Sequence, residues 1–166
     1  MSDYQTISVA VDGPVARLSL DRPEVRNALN REMIGEITSA FSEFNENPDV
    51  RVVILRGNGG VFCAGGDLNW MKNVLGQTEE EVQEDSRHLL NMYRSINGSP
   101  KPVIAGLEGA VIAGGLGLIA CSDVVIAEAE TKFCVSEVKI GLTPGIIAAY
   151  MLPRIGPGWM RYLSKT

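Results

Sequence analysis

A chain of 166 residues, 45% of them hydrophobic, is long enough to bury one sizeable core and too short for two ordinary domains. A net charge of -5 with scattered basic residues excludes a broad nucleic-acid footprint, although a single arginine can still meet a phosphate. Cys63, Cys121 and Cys134 lie far apart, no basic-then-apolar leader opens the sequence, and the longest uncharged run, Gly109 to Ser122, is too short and too rich in glycine to span a bilayer. The expectation is a reduced, cytoplasmic protein with no membrane partner, no nucleic-acid partner and no metal site.

In chain order, Tyr4 to Val11 and Val15 to Leu20 have strand-like content and meet at the turn Asp12-Gly13-Pro14, which predicts a hairpin. Asn30 is placed to cap a helix over Arg31 to Glu46, where Met33, Ile34, Ile37, Phe41 and Phe44 recur at helical spacing. Val50 to Leu55 reads as a buried strand leading to the loop at residues 56 to 66, followed by a short helix over Asp67 to Val74. Thr78 and three glutamates open a longer helix running to about Ile96.

Lys101 to Asp123 is the stretch around which the rest is organised. It predicts a strand over Pro102 to Ala105, a glycine-rich turn, and a helix beginning near Gly114 and Gly115. Glycine removes the side chain wherever a ligand must approach the backbone, so bared amides here, and upstream at Gly65 and Gly66, suit a developing negative oxygen. Val124 to Ala127 and Thr131 to Val135 are further strands, and Pro144 to Leu152 and Pro157 to Leu163 are helices. Strands alternating with helices indicate the α/β class.

Four segments carry a family resemblance: Asp21-Arg22-Pro23-Glu24-Val25-Arg26-Asn27-Ala28-Leu29, Phe62-Cys63-Ala64-Gly65-Gly66-Asp67-Leu68, Lys101 through Gly114-Gly115 to Asp123, and Phe133 to Gly145. In order and spacing the chain resembles the crotonase (enoyl-CoA hydratase/isomerase) superfamily, with FCAGGDLNWMK, GGLGL and SEVKIGLTPGII similar to bacterial methylglutaconyl-CoA hydratase-type enzymes. The resemblance implies a spiral of ββα turns over residues 1–166, the N-terminal spiral domain of such a protein, and no cofactor beyond the coenzyme A of the substrate. It also implies an oxyanion hole from the amides of Gly66 and Gly114, which would hold the oxygen of a thioester enolate. Family positions for coenzyme A fall on Ala28 and Ala64, with Arg26 placed to meet the nucleotide phosphates. Asp67, Trp70 and Gly117 fall at further substrate-binding positions. Arg26 read alone is equally an exposed surface charge, and Trp70 with Met71 equally a piece of core.

Hydratases of this type carry two glutamates. The second is present as Glu137, but Gly117 stands where the first would be and has no proton to give or take. Glu137 is therefore the candidate acid/base at the acyl α carbon, with Val135, Val138 and Ile140 to raise its pKa; otherwise it is a partly exposed helix start. His88 among Glu84, Asp85 and Arg87 reads as a solvated helix position, and Cys63 and Cys121 as small buried residues rather than nucleophiles. Superfamily subunits usually continue into C-terminal helices that pack across a trimer interface. The chain stops at Lys165-Thr166, so it is expected to lack that region, with a homotrimer or dimer of trimers implied for a full-length form. Three functions stay open: an enoyl-CoA hydratase, a double-bond isomerase needing one carboxylate, or an inactive CoA-ester binding or assembly protein.

Overall fold

The structure is a computed structural model that describes residues 3–73 and 76–165. Strands β1 (Ile7–Asp12) and β2 (Val15–Leu20) form the expected antiparallel hairpin, with Ile7 opposite Leu20. Helix α1 (Arg31–Glu46) follows, and the Asn30 side chain accepts a hydrogen bond from the Met33 amide at 2.9 Å, so the helix begins at the cap the sequence supplies. Then come β3 (Val52–Gly57), α2 (Leu68–Asn73) and α3 (Glu79–Asn97). The expected end of α2 at Val74 lies outside the described residues. At the start of α3, Thr78 and Glu81 form a reciprocal capping box.

β4 (Val103–Leu107) is longer than expected, and the stretch read as a glycine-rich turn contains a further strand, β5 (Ala110–Ile112), before α4 (Gly114–Ala120). Gly109, at φ +64, makes the bend between them, where a Cβ would come within 2.2 Å of the Gly60 carbonyl oxygen. β6 (Val124–Ala127), β7 (Lys132–Cys134) and α5 (Gly145–Leu163) complete the chain. The two helices expected after Pro144 are the two halves of α5, separated by a kink at Gly156 (φ 75, ψ 167) between Pro153 and Pro157.

The main sheet has the order β1-β2-β3-β4-β6, parallel except for the hairpin. Its inner face presents Leu18, Leu20, Val53, Leu55, Val103 and Ala105 to the apolar faces of α1 and α3, forming the core. The last three passes of the chain repeat one plan. Each leaves a main-sheet strand (β3, β4 or β6), crosses a second layer, and returns through helix. In that second layer β5 pairs in parallel with β7, and Cys63 forms a parallel bridge with Val111. This is the spiral of ββα turns that the resemblance implied. β6 leaves Val124, Val125 and Ile126 exposed.

Candidate active site

The second layer sets the register of the site. Cys63 lies beside Val111, and Val111 beside Phe133, so three parallel segments are aligned at those residues. Three residues beyond each aligned position stand Gly66, Gly114 and Ser136, with Glu137 next. Successive ββα turns thus deliver the two glycines and the glutamate to one end of the layer, where parallel strands commonly open onto a ligand.

The amide directions follow from the hydrogen bonds. The Leu29 amide donates to the Gly65 carbonyl at 2.7 Å, and the Asp67 amide donates to the Leu29 carbonyl at 2.8 Å. In a parallel bridge of this kind the middle residue turns its own N–H and C=O to the opposite side, so the Gly66 amide faces away from Leu29. Gly114 opens α4, where the first amides have no partner within the helix. Ala113 before it holds φ 45 and ψ -114, a conformation costly for a residue with a side chain, and this twist aims the Gly114 peptide. The two bends touch: a Cβ on Gly65 (φ +94) would lie 3.0 Å from the Ala113 Cβ. Gly66 and Gly114 line the same cavity, of about 800 Å³, as does Glu137.

The loop after β2 forms another wall. Arg22 donates to the Ala28 carbonyl at 2.6 Å and to the Asp67 carboxylate at 2.9 Å, while the fully buried Asn27 side chain donates to the Asn58 and Val61 carbonyls. Arg26 and Asn27 adopt left-handed backbone, and the Arg26 carbonyl accepts from the Ala64 amide at 3.0 Å. Arg26, Ala28 and Ala64 all line the cavity, with Arg26 exposed at its rim alongside Lys72 and Lys139.

Asp67 also borders the cavity, yet its carboxylate is committed within the chain. Besides Arg22, it accepts from the Asn69 amide at 2.8 Å and the Trp70 amide at 3.4 Å, capping α2. Burial opposes its ionisation, but the hydrogen bonds from Arg22 and the two amides, with the Arg22 charge, outweigh it and hold the carboxyl below its usual range. Asp67 therefore braces the wall of the cavity it borders. Trp70 lines the cavity and its indole N–H donates to the buried Asp85 at 3.2 Å, which also accepts from Gln77 and pairs with Arg31 at 3.3 Å.

Glu137 lies in the first turn of a short 3-10 segment (Ser136–Ile140), half-buried. Among the described residues its Oε2 is buried without a hydrogen-bond partner. Desolvation raises its pKa, against a smaller lowering effect from its own backbone amide.

Gly117 departs from expectation. It is buried, and a Cβ there would lie 2.5 Å from Tyr93 Cζ and 2.8 Å from its hydroxyl. The wall at this point is Tyr93, which lines the cavity and donates its hydroxyl hydrogen to the Gly114 carbonyl at 2.8 Å. Sequence reasoning missed Tyr93 because it lies on α3, where beside Met92 and Ile96 it looks like core. His88 is exposed and 3.5 Å from Glu84, and the buried Cys63 thiol is pushed up to about 12, so neither is a candidate for acid/base or nucleophilic work. Among the described residues no group of three or more His, Cys, Asp and Glu side chains converges as a metal ion would require, and no helix is long and apolar enough to cross a membrane.

Known proteins show the same arrangement of sequence and fold. The family described as Enoyl-CoA hydratase/isomerase matches residues 11–159. The crotonyl-CoA hydratase of Syntrophomonas wolfei is 35% identical over 165 residues, covering 98% of this chain and 62% of its own length. A peroxisomal Delta(3,5)-Delta(2,4)-dienoyl-CoA isomerase of Arabidopsis thaliana is 30% identical over 167 residues, covering 93% of this chain and 60% of its own length. The crystal structure of an enoyl-CoA hydratase from Shewanella pealeana matches with a TM-score of 0.94 at 36% identity, covering 96% of this chain and 60% of that one. The chain thus spans about three fifths of the length of these relatives. Sequence and fold agree that it belongs to the enoyl-CoA hydratase/isomerase family.

Proposed function

We propose that the chain carries the acyl-CoA site of an enoyl-CoA hydratase. One observation supports this above the others: two glycine-bared bends in contact and a partnerless glutamate oxygen line one cavity. The amides of Gly66 and Gly114 hold the thioester oxygen, where the electrons of the double bond come to rest as water adds. Each such donor is worth about 3 kcal/mol of barrier in other oxyanion holes. Glu137 moves the proton: its half-buried carboxyl has a pKa raised by desolvation, the direction that favours proton exchange with carbon near neutrality. Arg26 at the rim meets the coenzyme A phosphates, its fork suited to bidentate contact, and the two loops that carry Ala28 and Ala64 flank the pantetheine and adenine portions. Trp70 borders the acyl chain.

Incubation with a 2-enoyl-CoA in heavy-oxygen water tests this reading. Label at the β carbon of the product supports hydration, and absence of label with substrate consumed refutes it. A second reading, double-bond isomerisation, is favoured by the single carboxylate, since Tyr93 fills the place a side chain at 117 would take. A shifted double bond without label is its signature.

A further inference from the structure

We propose that Asp85 sets the acyl-chain preference of the site: as a positioning residue it holds the Trp70 indole still as a wall of the cavity, so that longer acyl chains are gripped. This deepens the acyl-CoA reading and rests on it. Trp70 lies on α2, a helix of six residues with none of them buried, and so short a helix does not hold its own shape in water. Ties to the rest of the chain fix it. Asp67 caps its start, and Met71 lies against the backbone of Gly66, where an added Cβ would be 3.1 Å from the Met71 sulfur. A third tie runs from the Trp70 indole N–H, which donates to Asp85 Oδ2 at 3.2 Å and so joins α2 to α3.

Asp85 is 5% exposed, and a carboxylate so buried persists only among polar partners. Its Oδ2 also accepts from the Gln77 side chain at 3.1 Å, just before the Thr78 cap of α3, while Oδ1 faces Arg31 Nε at 3.3 Å at the head of α1. One side chain thus links three helices. The contact of Met71 with Gly66 sets α2 beside the amide that holds the thioester oxygen in the acyl-CoA reading. The acyl chain then leaves the thioester along α2, with Trp70 and, from α3, Leu89 as its apolar wall. Each methylene buried against a fixed wall multiplies affinity about fourfold. A wall that the ligand must first order returns less of that gain.

Calorimetric affinities for butyryl-CoA and octanoyl-CoA, saturated esters that neither hydration nor isomerisation consumes, test the proposal through their ratio. Asp85→Leu has similar volume and accepts no hydrogen bond, which leaves the indole N–H unpaired and frees the ring. Arg31 is more than half exposed and also pairs with Glu84 at 3.3 Å, so it keeps a partner in this variant. The preference for octanoyl-CoA is expected to fall about tenfold, as one or two methylenes lose their wall, with butyryl-CoA affinity changed less than about threefold. Asp85→Asn, which keeps an oxygen for the indole, should retain the preference within about twofold. A purely structural role would weaken both esters by one factor. An unchanged or raised ratio in Asp85→Leu therefore overturns the proposal, as does an equal fall in Asp85→Asn. Should Asp85→Leu not fold, Asp85→Ala is read by the same ratio with the same outcomes. If the unsubstituted chain binds neither ester, the acyl-CoA reading itself has failed and takes this proposal with it, a result distinct from any effect of residue 85.

Discussion

The Arg22 guanidinium and the Asp67 carboxylate meet at 2.9 Å, both largely buried, and join the loop after β2 to the start of α2, where Asp67 borders the cavity. The same Asp67 side chain caps α2, so its removal leaves both an unpaired buried cation and an uncapped helix. Asp67→Ala is expected to cost about 3 kcal/mol, read as a shift in the urea midpoint, because breaking a buried pair costs more than the pair contributes. The folded pKa of Asp67 lies below the ordinary value of about 3.9, so its contribution is present above that pH and is lost as pH falls through the folded pKa. The gap between wild type and Asp67→Ala should therefore narrow in acid. A gap constant down to the acid transition would show that the ionised carboxylate is not what stabilises the loop.

Glu137 gives the opposite sign. Its folded pKa is raised, so the fold favours the protonated form; that advantage is complete below about pH 4.3 and is lost as pH rises through the folded pKa. Glu137→Gln mimics the protonated state. It should match wild type in melting temperature in acid, exceed it at neutral pH, and lower turnover by about a thousandfold with acyl-CoA affinity retained. Hydration by wild type should decline as pH falls through a value above the ordinary glutamate range. Turnover within tenfold of wild type in Glu137→Gln would remove this residue from the chemistry.

The local elements of the fold were legible because their signals are local. Asn30 and Thr78 cap the helices they were expected to cap, and the apolar spacing of α1 gave its bounds. β5 was hidden because three residues among glycines carry no periodicity; its reason to exist is its pairing with β7, a tertiary fact. The two helical halves of α5 were legible from the prolines that flank the break at Gly156. In the site, Gly66, Gly114 and Glu137 stood out by motif, and the structure lines one cavity with them. Gly117 was read as a gap, since the residue that fills it, Tyr93, comes from another helix. The pairing of Asp67 with Arg22 was not legible, since the two are 45 positions apart in the chain.

That filled gap makes Gly117 intolerant. Gly117→Ala places a Cβ 2.5 Å from the Tyr93 ring, which is fully buried and packed 5.6 Å from the Tyr150 ring, so the ring cannot simply swing aside. A loss of about 2 kcal/mol is expected from overpacking, measured by thermal melting. Gly117→Glu alone should therefore fail to create a two-carboxylate hydratase despite supplying the missing group. A stable, more active Gly117→Glu protein would mean that Tyr93 moves freely.

Gly65→Ala probes the contact on which convergence of the two bends depends. Gly65 has φ +94, where a side chain is strained by about 1–3 kcal/mol, and its new Cβ would press on Ala113 at 3.0 Å and on the Ile112 carbonyl oxygen at 3.3 Å. Ala113 is itself twisted to aim the Gly114 peptide, so pressure there changes the direction of one amide relative to the other. In the proposed reading the two amides stabilise the enolate only when both point at one oxygen, and misaiming one acts on the transition state more than on the bound thioester. Gly65→Ala is therefore expected to lower kcat about a hundredfold while KM changes little, with a modest loss of melting temperature. Loss confined to KM would place the effect in binding, and the contact between Gly65 and Ala113 would then have no part in aligning the amides.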